Sequence, residues 1–254
     1  MMSIDTARVR AVVRKELRDY RRRRSIVVTM IILPVVFLIE PTLTVFLAPA
    51  GTNLQVPLLL LLLIPVVTPS TLAAYSIVGE REQGTLEPLL TTPLRREEFI
   101  LGKASAVMIP TLVLSYAVFG LFLAVVGIFA KSAASAAVFH QGPVLLAIVL
   151  LIPLMAGWAV IVGMAVSVRA SEIRVAQQLG MVASFPPLVA VILLALGVVH
   201  PSVRVALLFA GVLLLIDARA VSLVSRMFDR ERLVTGNRAA RPGGTSRLWR
   251  GRSG

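Results

Sequence analysis

A phosphate-binding loop requires Gly-x-x-x-x-Gly-Lys-Ser/Thr, because its backbone amides cradle the phosphates while the lysine and the hydroxyl handle charge and metal. Gly79 and Gly84 have the glycine spacing, but Thr85 stands where the lysine is needed. Gly102-Lys103 is followed by Ala104 and lacks the upstream glycine. Neither stretch can hold a nucleotide by itself. The two histidines, His140 and His200, are far apart and fit no metal-ligand spacing, and the chain has no cysteine for a thiolate site, a nucleophile or a disulfide. No catalytic residue, metal site or directly bound cofactor is therefore expected. The remaining chemistry lies in charged residues set in apolar surroundings. Glu40, Asp217 and Arg219 fall inside long apolar runs, where a charge costs enough that function is the default reading. Glu40 could line a substrate route for a cationic or amphiphilic cargo, or reach outer headgroups. Asp217 is a second candidate for that route. Asp217 and Arg219 are two apart and do not share a helix face, so snorkelling or separate interhelical pairing is favoured over a proton relay.

The elements that carry these residues are set by composition. Hydrophobic residues make up 57% of the 254 and charged residues 15%, with mean hydropathy +0.88. Ordinary soluble domains have roughly 45–50% and about 25%. The apolar residues come in six runs: Ile26–Leu47, Leu54–Val78, Ala104–Ala130, Val144–Val168, Leu179–Val199 and Val205–Val224. At about 1.5 Å per residue, each is long enough for a hydrocarbon core of about 30 Å. The expected fold is all-α and integral to the membrane, with a six-span domain over residues 26–224. Only His200, Pro201 and Arg204 separate the last two runs.

Lysine and arginine resist translocation and so mark the cytoplasmic side. Nine precede the first run, four lie between the second and third, two between the fourth and fifth, and eight follow Val224. Only Lys131 and Arg204 fall on the other side. Both termini are thus expected in the cytoplasm, and the protein in a plasma (inner) membrane. The net charge of +13 is absorbed by topology, which argues against a nucleic-acid partner. Ala48-Pro49-Ala50 resembles a signal-peptidase site, but the preceding run is longer than a signal sequence's apolar region, so the first span is read as uncleaved.

Residues 1–25 are expected to form an interfacial helix. Val9, Val12, Val13, Leu17 and Tyr20 fall at helical spacing, with Arg10, Arg14, Lys15 and Arg18 on the other face. Such a helix would lay its apolar side in the acyl boundary and its basic side toward anionic headgroups. The alternative is a basic flank that only obeys the positive-inside rule. Residues 225–254 read as a basic, disordered tail. Nine prolines fall inside the runs and suggest kinked helices around a cavity, beyond ordinary membrane-helix enrichment. Ala159, Gly163 and Ser167 recur every four residues, which permits a close helix contact but arises readily by chance in so Ala- and Gly-rich a chain.

The segment 79–103 is the most organised polar stretch. Thr85 can cap a short helix on which Leu86, Leu89 and Leu90 share a face, and Thr92-Pro93 marks a second start. Together Gly79-Glu80-Arg81-Glu82, Gly84-Thr85-Leu86-Glu87, Leu89-Leu90, Thr92-Pro93 and Gly102-Lys103 resemble the signature between the second and third spans of type-2 permeases of ATP-binding-cassette transporters. The resemblance extends to the interfacial helix and the six-span count. It implies an exporter subunit whose cytoplasmic coupling helix enters a groove on a separate nucleotide-binding (ATPase) subunit. Gly79, Glu80, Arg81, Glu82, Gly84, Thr85, Leu86, Glu87, Leu89, Leu90 and Pro93 would carry or shape that contact. It also implies a second permease copy or a sister permease, and ATP and Mg used only by the partner. The chain departs from some members in having only about five residues between its last two runs, too few for re-entrant outer helices. Residues Lys131 to Gln141 could build an outer element instead. The contrasting reading is an ATP-independent secondary carrier or a membrane-embedded enzyme; the first lacks visible inverted repeats and the second lacks a catalytic constellation.

Overall fold

A computed structural model describes residues 5–47, 49, 52–82, 84, 95–196 and 202–227. Among these residues the chain is all helical, with ten helices and no strand. In order they are α1 Thr6–Arg22, α2 Arg24–Leu47, α3 Gln55–Leu60, α4 Leu63–Glu82, α5 Arg96–Phe129, α6 Ser132–Phe139, α7 Gly142–Arg169, α8 Ile173–Ser184, α9 Pro186–Ala195 and α10 Val203–Met227.

Among the described residues five stretches are long and apolar enough to cross a membrane: Ile26–Leu47, Gln55–Glu80, Glu97–Phe129, Gly142–Arg169 and Ile173–Leu193. The first, second and fourth match the expected spans closely, and the third begins at Glu97, not Ala104. The fifth starts at Ile173, not Leu179, and is made of two helices. The break at Phe185 follows from Pro186-Pro187, which supply no N–H to continue α8 but fit the first positions of α9. The expected sixth span overlaps α10, whose 25 residues include Arg204, Asp217 and Arg219; it is not among the five. His200 and the boundary around it lie outside the described residues, as does the tail from residue 228. The stretch Lys131 to Gln141 does form an element, the short helix α6.

The second span is the hub of the bundle. It is 72% buried, against 17% for the first. Its partner is α7, and the small residues at every fourth position are the reason. A Cβ on Gly163 would lie 2.7 Å from the Ala73 Cβ, and the buried Ser167 hydroxyl donates to the Ala74 carbonyl at 3.1 Å. Such closeness brings backbones together where no water competes. The first span instead presents Val28, Ile31, Ile32, Val35, Val36, Ile39 and Leu43 to its surroundings, a surface that fits hydrocarbon and not water.

Prolines sit inside α2, α4, α5 and α7 without ending them. Three are followed by a hydroxyl that bonds a carbonyl in the preceding turn: Thr42 to Leu38 at 2.7 Å, Ser70 to Val67 at 2.6 Å and Thr111 to Val107 at 2.8 Å. Local hydroxyls thus occupy carbonyls where the regular ladder is disturbed.

Candidate functional site

The site is built where α1, α4 and α5 meet. Helix α1 starts at Asp5, whose carboxylate accepts the Ala7 N–H at 2.9 Å. Its inward face is Val12, Glu16 and Tyr20 at four-residue spacing. This face lies on the first turns of α5, and Gly102 makes the approach possible: a Cβ there would sit 2.7 Å from the Val12 side chain. Glu98 fastens the other end of the contact. Its buried carboxylate accepts the Asp5 N–H at 3.0 Å and the Arg95 N–H at 3.1 Å, with the Arg8 guanidinium 3.7 Å away.

Four charged side chains close around this junction. Lys103, fully buried on α5, places its ammonium 3.1 Å from Glu16 Oε1 and 3.0 Å from Glu80 Oε2, and donates to the Ser76 carbonyl. Lys15 approaches from the rim, 2.7 Å from Glu80 Oε1 and 3.0 Å from Glu16 Oε1. Each carboxylate therefore touches both lysines. The Phe99 ring lies 5.1 Å from the Lys103 ammonium and adds a cation–π contact. With two positive and two negative charges the cluster is neutral. That is what permits a fully buried lysine, since an unpaired ion there would cost several kcal/mol.

The electrostatics follow. Burial opposes the charge on Lys15, but its hydrogen bond to Glu80 and the field of Glu16 outweigh that and hold its ammonium above the ordinary lysine range. Burial likewise opposes ionisation of Glu16, and Lys103 and Lys15 overcome it, holding its carboxyl below the usual carboxylate value. Tyr20, at the edge of the cluster, is pushed well above the usual phenol range, first by burial and then by the carboxylates of Glu16, Glu80 and Asp19. Every one of these groups keeps its ordinary charge at neutral pH.

The last turn of α4 reaches a second neighbour. Glu82 is exposed, and its carboxylate accepts the Ile173 N–H at 3.1 Å at the start of α8, where the helix dipole favours negative charge. Alternate carboxylates of Gly79-Glu80-Arg81-Glu82 thus run to different helices: Glu80 to α1 and α5, Glu82 to α8. Gly84 follows with φ +66°, the left-handed conformation that glycine adopts freely just past a helix end.

These positions bear on three expectations. Glu80, expected to meet an outside subunit, is 7% exposed with both oxygens on lysines of this chain. Part of the apolar face of α1 packs on protein, because Val12 and Tyr20 are covered by α5 and the cluster around Ile26, Leu72 and Phe99, while Val9, Val13 and Leu17 stay half-buried. Lys15 turns from the arginine face into the cluster, drawn by two carboxylates. Arg81 lies in the last turn of α4 and Gly79 is buried there. Thr85, Leu86, Glu87, Leu89, Leu90 and Pro93 lie outside the described residues.

Glu40 and Asp217 are not brought together. Glu40 is exposed on α2 and accepts the Thr44 hydroxyl of its own helix at 3.1 Å. Asp217 is buried against α7, where a Cβ on Gly157 would lie 2.9 Å from its Oδ2 and 3.8 Å from the Met108 methyl of α5. Sequence reading missed Glu16 altogether. The signal was present: a lone carboxylate between Val12 and Tyr20 on an apolar face requires a buried cation, and Lys103 at the head of an apolar run requires a buried anion.

No curated protein matches the chain at a significant level. The family model of the ABC-2 type transporter matches residues 7–190, which takes in nearly all of α1, the clasp of four charges, Glu82 with its partner helix, four apolar spans and most of the fifth. The chain belongs to the ABC-2 type transporter family and is a multi-pass membrane protein, the transmembrane component of an ATP-binding-cassette transporter.

Proposed function

We propose that this chain is the permease subunit of an exporter driven by a separate ATPase, and that the segment 79–103 is its cytoplasmic lever. The observation that carries the reading is the pair of attachments at the end of α4: Glu80 to α1 and α5, and Glu82 to α8. A push on residues 85–94 would be delivered into α4 and α5, which flank them in sequence, and the clasp would oblige α1 and α8 to follow. In this reading Thr85, Leu86, Glu87, Leu89, Leu90 and Pro93, with Arg81 and Glu82 beside them, form the surface for the nucleotide-binding subunit. Glu80 acts as a positioning residue behind that surface.

Helix α10 serves as the sixth span, both termini lie in the cytoplasm of a plasma membrane, and α1 runs along the inner face. A second copy or a sister permease completes the path. ATP and Mg are used by the partner, whose closure selects an outward-facing arrangement of the helices. This chain performs no covalent chemistry.

The test is co-purification followed by reconstitution. The chain is expected to retain an ATPase subunit whose turnover rises with cargo, and the charge reversal Glu87→Lys is expected to lower that coupling about tenfold while insertion stays normal. Transport by the pure chain in vesicles without any ATPase would establish the ATP-independent carrier instead.

A further inference from the structure

We propose that the outward face of α1 binds the phosphate of an anionic glycerophospholipid, one lipid per chain. Arg10, Arg14 and Arg18 stand at four-residue spacing, and Arg21 and Arg22 prolong the row to roughly 18 Å along the helix. With Val13 and Leu17 they line an open groove of about 690 Å³.

The cations of α1 fall into two sets. Arg8 is met by Asp5 and Glu98, and Lys15 by Glu16 and Glu80. The five arginines of the groove have no carboxylate partner among the described residues, although Asp19 stands on the same helix and turns to Lys15 at 3.7 Å. Five guanidiniums in one row with no carboxylate partner among the described residues leave a strong demand for an anion, and their planar forks suit phosphate.

Two features select a lipid. Arg22 is four residues from Ile26, where the first span begins, so the groove lies beside the point where the chain enters the membrane, within reach of headgroups. Val13 and Leu17 are half-buried in the groove floor and offer an apolar shoulder to the glycerol ester, which a free phosphate or an acidic protein loop would not use. The opposite face of α1 is taken up by α5 and the clasp, so the lipid would hold the helix from the side the protein leaves open.

Native mass spectrometry of the full chain, purified in a neutral detergent and titrated with phosphatidylglycerol or phosphatidylcholine, tests this. One phosphatidylglycerol is expected to stay bound, with phosphatidylcholine retained far more weakly and millimolar inorganic phosphate or glycerol phosphate unable to displace it. Arg14→Gln with Arg18→Gln is expected to weaken phosphatidylglycerol binding about tenfold, and Arg14→Lys with Arg18→Lys to give an intermediate loss. Equal binding by wild type and the glutamine variant overturns the proposal. So does displacement by inorganic phosphate, or a glutamine variant that keeps its lipid but loses an ATPase subunit. Where the double variant fails to fold, Arg14→Gln and Arg18→Gln are read singly by the same titration, against the same outcomes.

Discussion

Glu80 and Asp217 are both carboxylates sunk in a bundle of apolar helices, and the protein treats them in opposite ways. Glu80 sits at the end of α4 with a lysine on each oxygen, and the Lys103 that serves it is shared with Glu16. Asp217 sits 14 residues into α10 against a notch that exists because residue 157 is glycine, and its Oδ1 has no hydrogen-bond partner among the described residues. A buried charge with every contact met locks helices together; one without a partner contributes nothing to stability and is retained for another reason. The burial is nearly equal, 7% against 8% exposed. Partners, not depth, separate a structural carboxylate from a functional candidate.

The largest effect should come from removing the shared cation. Lys103→Met leaves Glu16 and Glu80 facing each other with only the half-exposed Lys15 between them. The loss expected is about 3–5 kcal/mol, the usual cost of breaking a buried ion cluster on one side. It would be read as a lower denaturation midpoint in detergent, with early proteolysis of α1. The triple change Glu16→Gln, Glu80→Gln and Lys103→Met removes the charges together and should recover most of that loss. A triple variant as unstable as the single one would show that packing at Lys103, and not its charge, holds the junction.

Asp217→Asn provides the contrast. With no ion pair to break, stability should change by less than about 1 kcal/mol, while cargo-stimulated transport is expected to fall if α10 is the sixth span and Asp217 lies on the path, as proposed for an ionisable group at membrane depth. The two measurements separate the regions: one variant loses fold, the other loses function. A destabilisation of Asp217→Asn matching that of Lys103→Met would mean that Asp217 has a partner of its own and would erase the distinction.

The two regions were also unequally legible in the sequence. Long apolar runs fix spans because helix rise and bilayer thickness leave little choice, and the first, second and fourth spans fell where hydropathy put them, while the third begins earlier, at Glu97. The fifth was misplaced because Arg174, Gln177 and Gln178 dilute the start of a helix whose apolar character lies further on. The Ala159, Gly163 and Ser167 spacing turned out to be a true contact, which only the partner residues Ala73 and Ala74 could settle. The clasp was half visible. Glu80 and Lys103 stood out as motif members, but Lys15 and Glu16 are adjacent in sequence and point together into one cluster, which helical periodicity alone assigns to different faces. Pairing of α1 across 65 and 87 residues of chain is a property of tertiary packing, and no local rule reports it.

The smallest expected effect is the pH dependence of the clasp. Glu16 has its folded pKa lowered from an ordinary 4.5, so its contribution is complete above about that value and disappears as pH falls through the lower, folded pKa. Lys15 has its folded pKa raised from an ordinary 10.5, so its contribution is complete below about that value and is lost as pH rises through the higher one. The two limits leave a plateau from about pH 5 to about pH 10, and stability should decline on either side. The alkaline arm should be the shallower, because Lys15 is 43% exposed and solvent already screens its pairs. Hydrogen exchange of the α1 amides at stepped pH would follow both arms, and Lys15→Gln should flatten the alkaline arm and shrink the acid one to the part that Lys103 supports. A wild-type protein whose α1 protection changed steeply between pH 6 and pH 9 would require a titrating group outside the clasp and would break the account of α1 as held by permanently charged partners.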